Sequence, residues 1–129
     1  MPVIWFAGGN AGFGEDCWQL GSALGYQCTF FPDLVAAEKQ LLSGECPAAL
    51  FVYLDRNVHQ DLKILDSIRK RAVWQSLAIL VVLAEPMPEI SIQIRGLGVD
   101  GVLLVPLMVE SVAPELQKAL QRRKIFSCN

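Results

Sequence analysis

The apolar run Ala48-Ala49-Leu50-Phe51-Val52-Tyr53-Leu54, which ends in Asp55, constrains this chain more than any other stretch. Neither of its alternating faces is polar. Such a strand must be covered on both sides, so it belongs in the middle of a sheet with helices above and below. Asp55 then stands where the strand leaves the core. In a parallel α/β sheet, the carboxyl ends of the strands are where ligands bind. Asp55 is therefore a candidate functional carboxylate.

The rest of the chain repeats the strand-then-helix pattern. Val3 to Ala7 is a short apolar strand, followed by the glycine-rich run Gly8-Gly9-Asn10-Ala11-Gly12-Phe13-Gly14. A helix is expected over Glu15 to Leu24, with Glu15 and Asp16 in its first turn, where negative charge is favoured. Cys17, Leu20 and Leu24 fall at inward spacing, and Gly25 suits a C-cap. Gln27 to Phe31 is a second strand. Asp33 is placed to cap a helix over Leu34 to Leu42, with Leu34, Ala37, Leu41 and Leu42 on one side. After Asp55, a polar loop over Arg56 to Gln60 leads to a helix over Asp61 to Arg71. Leu77 to Leu83 is a fourth strand, Glu89 to Leu97 a short helix, and Val102 to Val105 a fifth strand. Val109 to Arg123 closes the unit, with a kink or late start expected at Pro114.

Five β-then-α units imply a parallel sheet covered on both faces. The expected fold is α/β and flavodoxin-like: a doubly wound (βα)5 unit with strand order 2-1-3-4-5. One domain is expected over residues 1–124, with 125–129 a tail or the start of a linker. At 129 residues, with 53% hydrophobic and 19% charged positions, the chain can bury a sizeable core.

Composition excludes several functions. The net charge is −2, and the basic clusters Arg69-Lys70-Arg71 and Arg122-Arg123-Lys124 fall at helix ends, where cations complement the dipole. No nucleic-acid surface is expected. The apolar runs fall far short of the roughly 20 residues a membrane span needs, and no charged leader precedes the first one. The four cysteines (Cys17, Cys28, Cys46, Cys128) lack metal-site spacing, and the chain has one histidine, so no metal or cofactor is expected. Reduced thiols in a cytoplasmic protein are the expectation.

The chain resembles the receiver (CheY-like) domains of bacterial response regulators. Pro47 to Asp55 looks like the family's third strand with its phosphorylated aspartate. Leu62 to Arg69 looks like its third helix, and Leu80 to Ala84 like its fourth strand. Gly98-Val99-Asp100-Gly101 followed by Val102-Leu103-Leu104-Val105-Pro106-Leu107 is similar to the family's glycine-alanine-aspartate-glycine turn, fifth strand and lysine-proline-phenylalanine run. The resemblance implies an Asp55 that accepts a phosphoryl group with a Mg²⁺ ion. It also implies an acidic pair after the first strand, a hydroxyl after the fourth and a lysine before the last proline. Here those positions hold Gly8 and Gly9, Leu83, and Val105.

Phosphoryl transfer to a carboxylate needs cationic screening, which these residues do not supply. The expectation is a degenerate, or pseudo-, receiver: non-catalytic, working as a protein–protein interaction or dimerisation module in signal transduction or transcriptional regulation. The resemblance places the family's interaction face on the fourth helix, fifth strand and fifth helix. Ile90, Ile94, Leu97, Leu107 and Met108 are the candidate residues there. A homodimer or another signalling protein is the expected partner, with an output domain in a longer chain.

Two alternatives stand beside this. One is a phospho-accepting receiver whose metal site is rebuilt, with Glu15 or Asp16 folding back. The other is a nucleotide or cyclic-dinucleotide site on the Gly8–Gly14 loop, although the spacing matches neither G-x-G-x-x-G nor a P-loop. His59 is expected as an exposed loop residue. Trp5 and Trp18 are expected to pack, and Trp74 to pack or to serve as an exposed anchor.

Overall fold

The computed structural model describes residues 2–9 and 11–127. In chain order the elements are β1 (Val3–Ala7), α1 (Ala11–Leu24), β2 (Gln27–Phe31), α2 (Leu34–Leu42), β3 (Ala49–Leu54), α3 (Val58–Lys70), a single 3₁₀ turn (Ala72–Trp74), β4 (Ala78–Leu83), α4 (Pro88–Gly96), β5 (Gly101–Leu104) and α5 (Val109–Ser127). All strand pairs are parallel, in the order β2-β1-β3-β4-β5. The doubly wound topology expected from the alternating pattern is the one observed.

β3 sits at the centre, with Leu50 facing Trp5 on β1 and Ile79 on β4. Its residues divide by parity. Leu50, Val52 and Leu54 join one core with Trp5, Ile79, Val81 and Leu83, under α2, α3 and α4. Ala49 and Phe51 join a second core with Ile4, Phe6, Leu80 and Val82, under α1 and α5. Each fully buried Leu, Val or Phe contributes roughly 1.5–3 kcal/mol, which is why the run carries no polar residue until Asp55.

Three element boundaries differ from the sequence expectation by three residues or more. α1 begins at Ala11, so Gly12 and Gly14 are helical and Glu15 and Asp16 lie beyond the first turn. Gly14, past the first helical positions, costs about 1 kcal/mol relative to alanine. Helical geometry here buries Phe13, edge-on to Phe6 and Tyr53 with ring centroids 6.3 and 4.6 Å apart, and that burial offsets much of the cost. α3 begins at Val58, which packs on the first core, so His59 is an exposed residue of its first turn and not of a loop. α5 continues through Pro114 to Ser127, past the end expected at Arg123, because no breaker follows Lys124. Residues 128 and 129, with Cys128, lie outside the described residues.

Leu42, expected inward, is exposed at the end of α2. Trp74 is buried with Arg71 over its ring, which removes it as an exposed anchor.

The amino end of the sheet is closed by an ionic network that no short-range pattern in the sequence announced. The Asp100 side chain is fully buried. It accepts from Arg123 Nε at 2.8 and 3.0 Å, from Ile79 N at 2.9 Å and from Arg69 Nη2 at 3.4 Å. Arg69 also donates to the carbonyls of Gly98 and Trp74, and Arg123 to those of Gly98 and Gln75. The two basic clusters therefore do more than complement helix dipoles: one arginine from each is buried, and together they tie the ends of α3 and α5 to the start of β5. Burial, and then the neighbouring Arg123, lower the Arg69 guanidinium to about 10.

Candidate functional site at the carboxyl end of the sheet

Asp55 follows β3 directly, and its side chain is exposed. It lines an open cleft of about 300 Å³ at the carboxyl ends of β1, β2 and β3, with Gly8, Gly9, Asp33, Tyr53 and Asp61 among the walls. The glycines shape that wall. Gly8 has φ +89° and its N–H donates to Phe31 O at 3.0 Å; a Cβ there would lie 3.0 Å from Tyr53 O. Gly9 has φ +85°, and a Cβ would collide with the Phe13 ring. The expected glycine loop thus splits: Gly8 and Gly9 form the turn, while Gly12 and Gly14 belong to α1.

Three carboxylates converge on the cleft: Asp33 from the β2–α2 turn, Asp55 from the end of β3 and Asp61 from the start of α3. Asp33 caps α2, accepting from Ala36 N at 2.9 Å. Asp61 lies in the first turn of α3. Burial, and then the charge on Asp33, push its carboxyl up to about 6. Burial and the nearby Asp55 likewise raise the Tyr53 phenol. The sequence pattern marks Asp33 and Asp61 only as helix starts. The available signal was their position just beyond predicted strands, on the same edge as Asp55.

Asp55 makes no hydrogen bond or ion pair among the described residues, and no group of three or more acidic, histidine or cysteine side chains is arranged there to hold a metal ion. Gly8 and Gly9 offer no side-chain oxygen. Glu15 and Asp16 are exposed on α1 and are not among the residues lining the cleft. Leu83 is buried in the first core, and Val105 packs against the second; neither is among the residues lining the cleft. The Val105–Pro106 peptide is cis.

The expected interaction face is redrawn. Ile90 and Ile94 are 9% and 1% exposed, because one helical turn carries both into the first core. Leu97 packs against the same core and Leu107 against the second, both partly buried. Met108 is exposed. The other exposed large apolar residues of this region are Ile92, Leu104 and Val109. Ile92 lies two residues from both Ile90 and Ile94, on the opposite side of α4.

No protein-family model matches the chain, and no curated protein matches it. Solved structures do. A sensor protein from Polaromonas sp. JS666 superposes with a TM-score of 0.82 at 18% identity, covering 95% of this chain and 98% of the other. A response regulator receiver domain protein (CheY-like) from Methanospirillum hungatei JF-1 gives 0.80 at 11% identity, covering 95% and 96%. NtrX from Brucella abortus, solved in complex with ADP, gives 0.80 at 15% identity, covering 96% of this chain and 27% of that one. The fold is the receiver fold. Likeness at these identities speaks for the fold alone, so the chemistry of the site rests on its own residues. Among the described residues, no helix is long and apolar enough to cross a membrane.

Proposed function

We propose that this chain is a degenerate receiver: a non-catalytic, cytoplasmic module of bacterial signal transduction or transcriptional regulation that acts by binding other proteins. The observation that carries this is the setting of Asp55. A phosphorylated aspartate needs a divalent cation and a basic side chain to offset its charge. The cleft around Asp55 offers two glycines where a receiver carries its acidic pair, and Asp33 and Asp61 with one cation, Arg56, are its other charged groups, so the balance stays negative. Binding falls to the α4–β5–α5 side, where Ile92, Leu104, Met108 and Val109 are exposed apolar residues, and the partner is a second copy or another signalling protein. The domain itself contacts neither nucleic acid nor membrane. The receiver-like part of the NtrX structure, about a quarter of that chain, supports an output domain in a longer protein.

One observation favours a second reading. Asp33 and Asp61 share the cleft with Asp55, so a phosphoacceptor with a rebuilt Mg²⁺ site would draw on them, and not on Glu15 or Asp16. Adding Mg²⁺ with beryllofluoride while following amide shifts separates the two readings. No perturbation around Asp55 is expected. Shifts that disappear in both Asp55→Asn and Asp61→Asn would establish the second reading.

A further inference from the structure

The free edge of the sheet opposite β5 is β2, which pairs only with β1. Gln27 N–H donates to Pro2 O at 3.0 Å, and Phe31 O accepts from Gly8 N at 3.0 Å. Backbone groups alternate along a parallel ladder, so Gln27, Thr29 and Phe31 turn theirs toward β1. Cys28 and Phe30 turn their N–H and C=O groups outward. Natural edge strands are commonly defended by charge, proline or a bulge. The sequence Gln27-Cys28-Thr29-Phe30-Phe31 has none of these.

The side chains on the α1 face of this edge form a knob beside a hole. Phe30 stacks on Phe6 at 5.6 Å yet stays 40% exposed. The Cys28 thiol occupies the space that a side chain on Gly21 would take. Next to it, a cavity of about 480 Å³ is lined by Trp18, Ser22, Tyr26 and Cys28, with Trp18 itself 58% exposed.

The geometry points to β2 as a homodimer interface: the β2 strands of two copies pair antiparallel about a two-fold axis at Thr29. The outward-turned residues 28 and 30 are symmetric about 29. A second copy therefore sets Cys28 opposite Phe30, and Phe30 opposite Cys28, as two hydrogen-bonded pairs with four N–H···O bonds. Thr29 faces Thr29 in the non-hydrogen-bonded position between them. The strand is uncharged, so self-pairing brings no like charges together. The ladder also ends in register: Pro32 has no N–H, and the Tyr26 N–H already donates to Gly21 O at 2.9 Å. In this arrangement Phe30 of each copy enters the Trp18–Cys28 cavity of the other. The occupant is a second copy because this register makes the interface isologous and closed. It lies on the opposite edge of the sheet from the α4–β5–α5 face, so the two proposals fail separately.

Thr29→Cys, with the four native cysteines replaced, is the direct test. Facing non-hydrogen-bonded residues bring their Cα atoms to about 4.5 Å, within disulfide range. Mild oxidation is expected to yield a covalent dimer whose peptide map joins residue 29 to residue 29. By sedimentation, Phe30→Lys and the milder surface change Thr29→Lys should each weaken the dimer about tenfold or more, while circular dichroism stays native. A chain monomeric at every concentration overturns the proposal. So does a dimer that Leu104→Asp dissociates and Thr29→Lys leaves intact.

Discussion

The two ends of the sheet handle charge in opposite ways. At the amino end, one carboxylate, Asp100, faces Arg69, Arg122 and Arg123 and accepts a backbone N–H as well. At the carboxyl end, Asp33, Asp55 and Asp61 share a cleft in which Arg56 is the one cation among the lining residues. The amino end is a fastener: Asp100, Arg69 and Arg123 satisfy each other away from water, with Arg122 at the exposed rim. The carboxyl end is an open pocket, with like charges held close. A pocket kept open at a cost to stability has the character of a functional site. A filled network has the character of a structural one. The difference also says what this pocket is suited to. Crowded anions repel a phosphoryl group unless a cation comes with it.

Breaking the fastener should give the largest effect. Asp100→Asn leaves Arg69 and Arg123 buried without their anion, and stability in urea unfolding should fall by about 3–5 kcal/mol. A small loss there would mean that water reaches the network and that the two ends differ less than their geometry indicates.

Asp61 comes next, with the opposite sign. Its carboxyl is raised to about 6 in the fold from an ordinary value of 3.8. The ionised form is thus disfavoured by folding. Its penalty is absent below about pH 4, grows as pH rises through 6, and is complete above 7. Asp61→Asn should therefore stabilise the protein by roughly 1–2 kcal/mol at pH 7.5, with no gain at pH 3.5. Thermal melts across that range would show the gain growing between about pH 4 and 6, from the unfolded value to the folded one. A gain that does not vary with pH would sink the explanation by charge.

Asp55 should matter least to the fold. It is exposed, so Asp55→Asn should change stability by less than about 0.5 kcal/mol. A larger gain would mean that Asp55 shares the repulsion seen at Asp61, and would sharpen the view of the cleft as one three-carboxylate unit.

Much of the architecture was legible because burial on two faces leaves a local mark. The unbroken apolar stretches of β3 and β4 could only be central strands, and Asp33 and Gly25 announced their helix ends correctly. Misreadings arose where a long-range contact outweighed local preference. Gly14 is helical because Phe13 finds Phe6 and Tyr53. Ile90 and Ile94 looked like a surface patch until α4 turned them into the core. The site was legible at Asp55 and opaque at Asp61, because the proximity of Asp61 to Asp33 depends on how α3 packs beside α2.

The sequence by itself determined the order of elements, the two-sided sheet and which residues, Gly8, Gly9, Leu83 and Val105, end the strands around Asp55. Those are properties of single positions and short periods. Only the tertiary structure decided which cations are structural. Arg69-Lys70-Arg71 and Arg122-Arg123-Lys124 read alike as helix ends, yet Arg69 and Arg123 are selected by Asp100, 31 and 23 residues away. It also decided that the cleft collects Asp33 and Asp61 beside Asp55. Electrostatic energy depends on distance through the fold, and separation along the chain does not report it.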